Sequence, residues 1–245
     1  MNGPHRPTHT AWREGGGEQG MHRFLALTIL LSALAPWGAG CGTATDVRTR
    51  LATPGPFYQP TNVFRADAKL PASLKRVVVL PLTPAGPGVD IASAPATLEP
   101  LLIQELGKSG RFELMPMAPA ALKQLTGRAT WSASDLFPTN FFDRLRDSTG
   151  CDGVLFSEVT AYKAYPPMTV GWRLRLMDVD GPTVWWAVDE VFDASNALVA
   201  NAAKRYHLTN AGKPAELTDP AEILLSPRRF AGYAASALVE TCPKR

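Results

Sequence analysis

The sequence predicts an α/β (α+β) fold, a sandwich of two or three layers around a mixed sheet, with elements in the order β-α-β-α-β-β-β-α-α. Three observations carry that reading. Val77-Val78-Val79-Leu80 is a short, unbroken apolar run closed by Pro81, the pattern of a central strand covered on both faces. Leu98, Leu101, Leu102 and Leu106 then recur at helical spacing before a second short strand, Phe112-Glu113-Leu114, which reads as a crossover between neighbouring strands. From Val154 to Asp193 the chain is rich in β-branched and aromatic residues and is punctuated by Pro166-Pro167 and Asp180-Gly181-Pro182, the signature of an antiparallel meander.

Taken in order, the domain is expected to start at Leu74, with residues 83 to 95 as a Pro/Gly-rich loop and Gly110 capping the first helix. A short helix entered through a proline spans Pro119 to Leu125, and Asp135 to Ser148 turns helical in its second half. Val154 to Ala164 is the longest strand pattern. Val170 to Val179 alternates, with Trp172, Leu174 and Leu176 on one face and Arg173 and Arg175 on the other. Thr183 to Phe192 returns with Val184, Trp186 and Val188 on one face. Residues 194 to 206 read as a helix and 207 to 225 as a loop. Ser226-Pro227, an N-cap followed by proline, opens a last helix running to about Thr241.

Upstream, His22-Arg23 precedes an apolar run, Phe24 to Ala35, which gives way to Pro36, small residues and Cys41. A basic start, an apolar stretch and small residues form a secretory signal. Gly38-Ala39-Gly40-Cys41 resembles the lipobox of bacterial lipoproteins, with Gly38 where that pattern usually has Leu. The resemblance implies a signal peptide over 1–40 and acylation at Cys41, and the polar, Gly-rich residues 1 to 20 ahead of Met21 and its basic pair point to translation starting at Met21. The alternative is an uncleaved transmembrane anchor, but Pro36, Gly38, Gly40 and Gly42 interrupt the roughly 20 apolar residues that a span needs. Residues 41–73 follow as a lipidated tether with Pro54, Pro56 and Pro60, in which Phe57, Tyr58 and Phe64 are able to dock, and 74–245 form the domain.

The balance of 25 Lys and Arg against 22 Asp and Glu, a net charge of +3 without basic runs, gives no reason to expect nucleic acid. His207 is the one histidine after Cys41, so a metal site is not expected, nor any cofactor. Cys151 lies before the strand at 154 and Cys242 after the last helix. If that helix runs antiparallel to the strand, the thiols meet in a disulfide worth roughly 4 kcal/mol; otherwise they are two unpaired cysteines at element ends. The carboxylates Asp178, Asp180, Asp189, Glu190 and Asp193 cluster around one hairpin. A glycosidase-like pair is conceivable there, yet turn and wet-face positions explain them better, and no nucleophile elbow or P-loop is present. The chain is therefore expected not to be an enzyme. Among the aromatics, Tyr162, Tyr165, Trp185 and Trp186 are the candidates for a partner surface. Strict alternation puts Trp185 and Trp186 on opposite faces, one of them away from the main core.

The string KRVVVLPL, a helix, GRFELM, a helix, TGCDGVLFSEVTAY and the WRLRLMDVDGPTVWW hairpin resembles the α/β domain shared by the curli-secretion lipoprotein CsgG family, the lipoprotein activators of penicillin-binding proteins and the N-terminal domain of TolB. Leu102, Leu106, Gly110, Arg111, Phe112 and Leu114, then Gly150, Asp152, Val154, Leu155, Val159 and Tyr162, occupy the motif positions, over about residues 74 to 193. The resemblance implies a non-enzymatic envelope protein, lipid-anchored at the outer membrane because Gly42 rather than Asp follows Cys41. Its periplasmic domain would bind a protein partner in envelope assembly, secretion or cell-wall synthesis. A homo-oligomeric CsgG-like secretion channel is the alternative, and a wall- or polysaccharide-acting enzyme a second.

Overall fold

Seven strands form one mixed sheet, in the order β1-β7-β6-β5-β2-β4, with β3 pairing β5 off that path. The computed structural model describes residues 55–86, 89–181, 183–210, 212 and 218–245. The chain divides into Met1–Ala44 and Thr45–Arg245; the first unit lies outside the described residues, and the sheet and its helices belong to the second. The expected signal segment 1–40, Cys41 and the start of the tether fall outside the described residues too.

The strands are β1 (Val63–Arg65), β2 (Arg76–Val79), β3 (Thr83–Pro84), β4 (Glu113–Pro116), β5 (Gly153–Lys163), β6 (Thr169–Asp178) and β7 (Val184–Asp193). The helices are α1 (Val89–Ser109), α2 (Pro119–Thr126), α3 (Phe141–Thr149), α4 (Ala197–Asn210) and α5 (Pro227–Glu240), with a 3-10 turn over Pro220–Leu225. β2 runs parallel to both β4 and β5, and β5-β6-β7 form the antiparallel meander.

The layers follow from alternation along the strands. Val77 and Val79 of β2, with Leu155 and Val159 of β5, belong to the larger core, which α1, α4 and α5 cover with Leu98, Leu102, Leu106, Val199, Phe230 and Leu238. Val78 and Leu80, with Val154 and Phe156, belong to a second core under α2 and α3, built with Leu122, Trp131, Phe141 and Leu145. The fold is thus three layers with an open sheet between helices.

Several boundaries differ from the sequence reading, among them the loop expected at 207 to 225, which begins with the last residues of α4 and ends in the 3-10 turn. The loop expected at 83 to 95 is largely the start of α1, which contains Pro95 and Pro100. Each proline removes a backbone donor, but Ala94, Leu98, Leu101 and Leu102 are all buried, and that continuous face outweighs the local penalty. β3 extends β2 beyond Pro81: Leu80 N donates to Leu155 O at 3.0 Å and Ala85 N to Val159 O at 2.8 Å, so both pieces track one strand. Upstream of Leu74, the described residues of the tether lie on the domain. β1 pairs antiparallel with β7, Tyr58 N donates to Leu198 O at 3.1 Å, and Leu70 is buried.

Asp152, in the Gly150–Leu155 string, ties β2 to β5. Its Oδ2 accepts from Lys75 N and Arg76 N, both at 2.8 Å, while its own N donates to Arg76 O at 2.8 Å. These bonds hold the start of β2 level with the start of β5. Partial burial opposes the charge on Asp152, but the two amide donors and the nearby Arg76 and Lys75 charges outweigh it, so its pKa is lowered. A lowered carboxylate stabilises the fold above its unfolded pKa, and that contribution is lost as the pH falls through the lowered value. Asp152→Asn is therefore expected to cost about 1 kcal/mol near neutrality, kept small by solvent exposure. Denaturant titrations across pH should show the gap from wild type closing on acidification, and a gap independent of pH would contradict this account.

Candidate functional site

Covering the second sheet face is a matter of length. Strands of 10–11 residues such as β5, β6 and β7 run about 35 Å at 3.3–3.4 Å per residue. Helices α2 and α3, of 8 and 9 residues, reach only about 12–14 Å at 1.5 Å per residue. They cover the Val154–Phe156 end of β5 and the Met177–Val179 end of the hairpin. Among the described residues, the other halves of β5, β6 and β7, with β1 at the edge, have no helix over their second face. That open face is the candidate site.

Pairing register builds it. Glu158 of β5 stands opposite Arg173 of β6, which stands opposite Asp189 of β7. Arg173 Nε donates to Asp189 Oδ2 at 2.7 Å and Nη1 to Glu158 Oε2 at 3.3 Å. The hydrogen bond to Asp189 leads the interactions that hold the Arg173 guanidinium further towards its charged form. Glu158 is buried, whereas Arg173 and Asp189 are partly exposed. Arg175, one pleat along, donates through Nη1 to Ala133 O at 3.3 Å and fastens the 127–140 loop to the sheet. Around this polar centre stand exposed apolar groups: Phe64 from β1, paired with Ala187, and Val191 from β7, paired with Gly171. Asn62, Phe64, Arg173, Arg175, Ala187 and Asp189 enclose a shallow depression of about 240 Å³. The arrangement is a flat surface with a central fork of charge and an apolar fringe, suited to recognising another surface.

The residues expected to face a partner are distributed differently. Trp185 and Trp186 do not point to opposite faces. The pairing shifts by one residue between Leu176/Trp186 and Met177/Val184, and this β-bulge brings both rings into the larger core. Trp186 is 0% and Trp185 8% exposed, and the space over Gly153 is closed by Trp185, whose Cζ3 lies 2.8 Å from where a Cβ would stand. Neither tryptophan is presented at the surface. Tyr162 is half-buried against the same core. Tyr165, in the β5–β6 turn, is 69% exposed. Glu158, Arg173 and Arg175 are the site residues that sequence reasoning did not select, and the alternation of Arg173 and Arg175 against Trp172 and Leu174 was the signal for the two arginines; Phe64, expected to dock, is exposed, and Asp189, read as a wet-face carboxylate, pairs with Arg173.

The hairpin carboxylates serve local structure. Asp178 accepts from Asp180 N at 3.0 Å, Asp180 pairs with Arg146, and Asp193 accepts from Ser195 N at 2.8 Å. Glu190 accepts from Tyr58 Oη, from Thr61 N at 2.9 Å and from Asn62 N at 3.0 Å, and so latches the tether segment to β7. Among the described residues no cluster of His, Cys, Asp and Glu is arranged to hold a metal, and no helix is long and apolar enough to cross a membrane.

The disulfide is not formed; both cysteines are free and buried. Cys151 belongs to the core under α2 and α3 and Cys242 to the core under α1, α4 and α5, so the sheet stands between them. Burial pushes the Cys151 thiol up, and pushes Cys242 to about 11 against the opposing pull of Arg111 and Arg65.

No family model matches the chain, and no curated protein matches it. Among solved structures it is similar to the PelC dodecamer from Paraburkholderia phytofirmans, at 12% identity and a TM-score of 0.42, over 75% of this chain and 96% of that one. It is similar to lipoprotein GNA1162 from Neisseria meningitidis, at 18% identity and a TM-score of 0.38, over 57% of this chain and 99% of that one. It is also similar to LpoB from E. coli, at 15% identity and a TM-score of 0.34, over 78% and 87%. Nothing in these likenesses bears on the curli-secretion family, which stays an expectation of the sequence.

Two outcomes are expected. Arg173→Ala removes the partner of a buried carboxylate and should cost about 1–3 kcal/mol, which Glu158→Gln in the same chain should partly restore; denaturant midpoints check both. Cys151 and Cys242 should resist alkylation until the protein is unfolded, with identical gel mobility under reducing and non-reducing conditions.

Proposed function

We propose that this chain is a lipid-anchored protein of a bacterial envelope and that its domain works by binding a protein partner, not by catalysis. The observation that carries the reading is the uncovered half of the sheet. A flat face with Arg173, Glu158 and Asp189 at its centre and Phe64 and Val191 beside it has the charged fork and apolar rim of a recognition surface. The lipobox-like Gly38-Ala39-Gly40-Cys41 supports the anchor. The resemblance of the domain motifs supports a role in envelope assembly, secretion or cell-wall synthesis, and Gly42 supports the outer membrane. Two or more acyl chains would make the attachment durable, at about 0.8 kcal/mol per buried methylene.

In the native host, Cys41→Ser should yield an unprocessed, non-acylated precursor; a processed, membrane-bound Cys41→Ser protein would remove the anchor. A photo-crosslinking phenylalanine analogue at Val191 should trap one partner of defined mass, while the same group at exposed Ala96 on α1 should not. Adducts from position 96 and none from 191 would place recognition elsewhere.

A further inference from the structure

On the opposite, helix-covered side, the tether segment Phe57–Pro60 crosses α4 and α5 and leaves a cleft of about 620 Å³. Its walls carry Arg205, Tyr206 and Thr209 from α4 and Tyr233, Ser236 and Glu240 from α5. Two groups in it are unfinished. The Tyr233 hydroxyl is buried with no hydrogen-bond partner, in a residue only 4% exposed. Buried polar groups in folded proteins are nearly always paired, so this one awaits a partner. Arg205 is half-buried with its guanidinium carbon 4.7 Å from the Phe57 ring centroid, and no carboxylate pairs with it among the described residues. At the far end Arg65 uses Nε on Thr241 O at 2.6 Å. Two guanidinium groups thus face a single lining carboxylate, Glu240.

We infer that this cleft binds a saccharide bearing a carboxylate. The lining has aromatic rings and hydroxyls but no Leu, Ile, Val or Met; its aliphatic members are Ala202, Ala237 and Pro60. A docked peptide segment seeks a pocket for an apolar anchor, and none is built here. A sugar places its C–H faces on rings such as Phe57 and Tyr206 and its hydroxyls on neutral donors and acceptors. Arg205, over the Phe57 ring, offers the planar fork that takes a carboxylate bidentately. The Tyr206 hydroxyl already donates to Glu105 Oε1 at 3.5 Å and offers the cleft its ring, while burial holds the Tyr233 phenol in its protonated form, so its O–H is the unengaged donor. The cleft lies on the other side of the sheet from the Arg173 face, so the inference does not depend on the partner reading.

The test is calorimetric titration of the full chain in detergent with two probes that distinguish the source of the carboxylate, trigalacturonic acid and N-acetylmuramic acid. Binding of either supports the inference, and the tighter one names the source. The fully methyl-esterified trigalacturonate and the Arg205→Ala variant should each bind about tenfold more weakly or worse. Arg205→Lys, which keeps the charge but loses the fork, should fall between. Tyr233→Phe removes only the unpartnered oxygen; it should weaken binding about fivefold while its melting temperature stays level or rises. Absence of binding to both acids, equal binding by a folded Arg205→Ala protein, or a triglutamate peptide bound as tightly as the sugar acids would overturn the inference.

Discussion

The mismatch between long strands and short helices is the constraint on which the rest of this structure depends. β5, β6 and β7 are each 10–11 residues long, while α2 and α3 together can shield only part of their second face. The large face has no such deficit, because α1 alone has 21 residues and α4 and α5 lie beside it. One face therefore closes into the main core, with Trp172, Trp186, Phe192 and Phe230 fully buried. Among the described residues the other loses its helical cover halfway along, and there its side chains change from Val154 and Phe156 to the buried Glu158 and the partly exposed Arg173 and Asp189. The charged fork is thus a consequence of helix length.

The segment before Leu74 and the end of the chain complete the large side. Glu190 gathers three donors from residues 58 to 62 and lays that segment along β7. At the C-terminus of α5, Arg65 donates to Thr241 O and Arg111 Nη1 to Val239 O at 2.9 Å. Two cations thereby satisfy carbonyls that a helix end leaves open and oppose its dipole. Trp186 Nε1 donates to Thr241 Oγ1 at 3.0 Å in the same corner. The Gly110-Arg111-Phe112 string is explained here: Gly110 turns at φ +60 after α1, Arg111 caps a helix more than a hundred residues away, and Phe112 is buried.

Much of this was legible because it is written at short range. The run Val77–Leu80, the Leu98–Leu106 spacing, the alternation through Trp172–Leu176 and the Ser226-Pro227 start each depend on neighbours within one or two turns or pleats. The Ser226 side chain does accept from Arg229 N, at 3.4 Å. Of the site, the outward pair Arg173 and Arg175 could be read, as could the structural role of the hairpin carboxylates. What failed was set at long range. Trp185 and Trp186 share a face because β7 slips against β6, and no count along one strand contains a slip between two. Pro95 and Pro100 sit within α1 because the sheet beneath rewards Ala94, Leu98 and Leu101 more than the two prolines cost.

By itself, then, the sequence determined the fold class, the order of the principal elements and the faces of regular strands and helices, because period and turn chemistry are local properties. It also carried the lipobox-like stretch ending at Cys41. Only the tertiary structure decided that Cys151 and Cys242 lie in separate cores, that Phe64 joins Arg173 on an open face, and that Arg205 and the unpartnered Tyr233 hydroxyl meet in one cleft. Each of those outcomes depends on which distant segments pack together, and packing is settled by area, length and register across the whole domain.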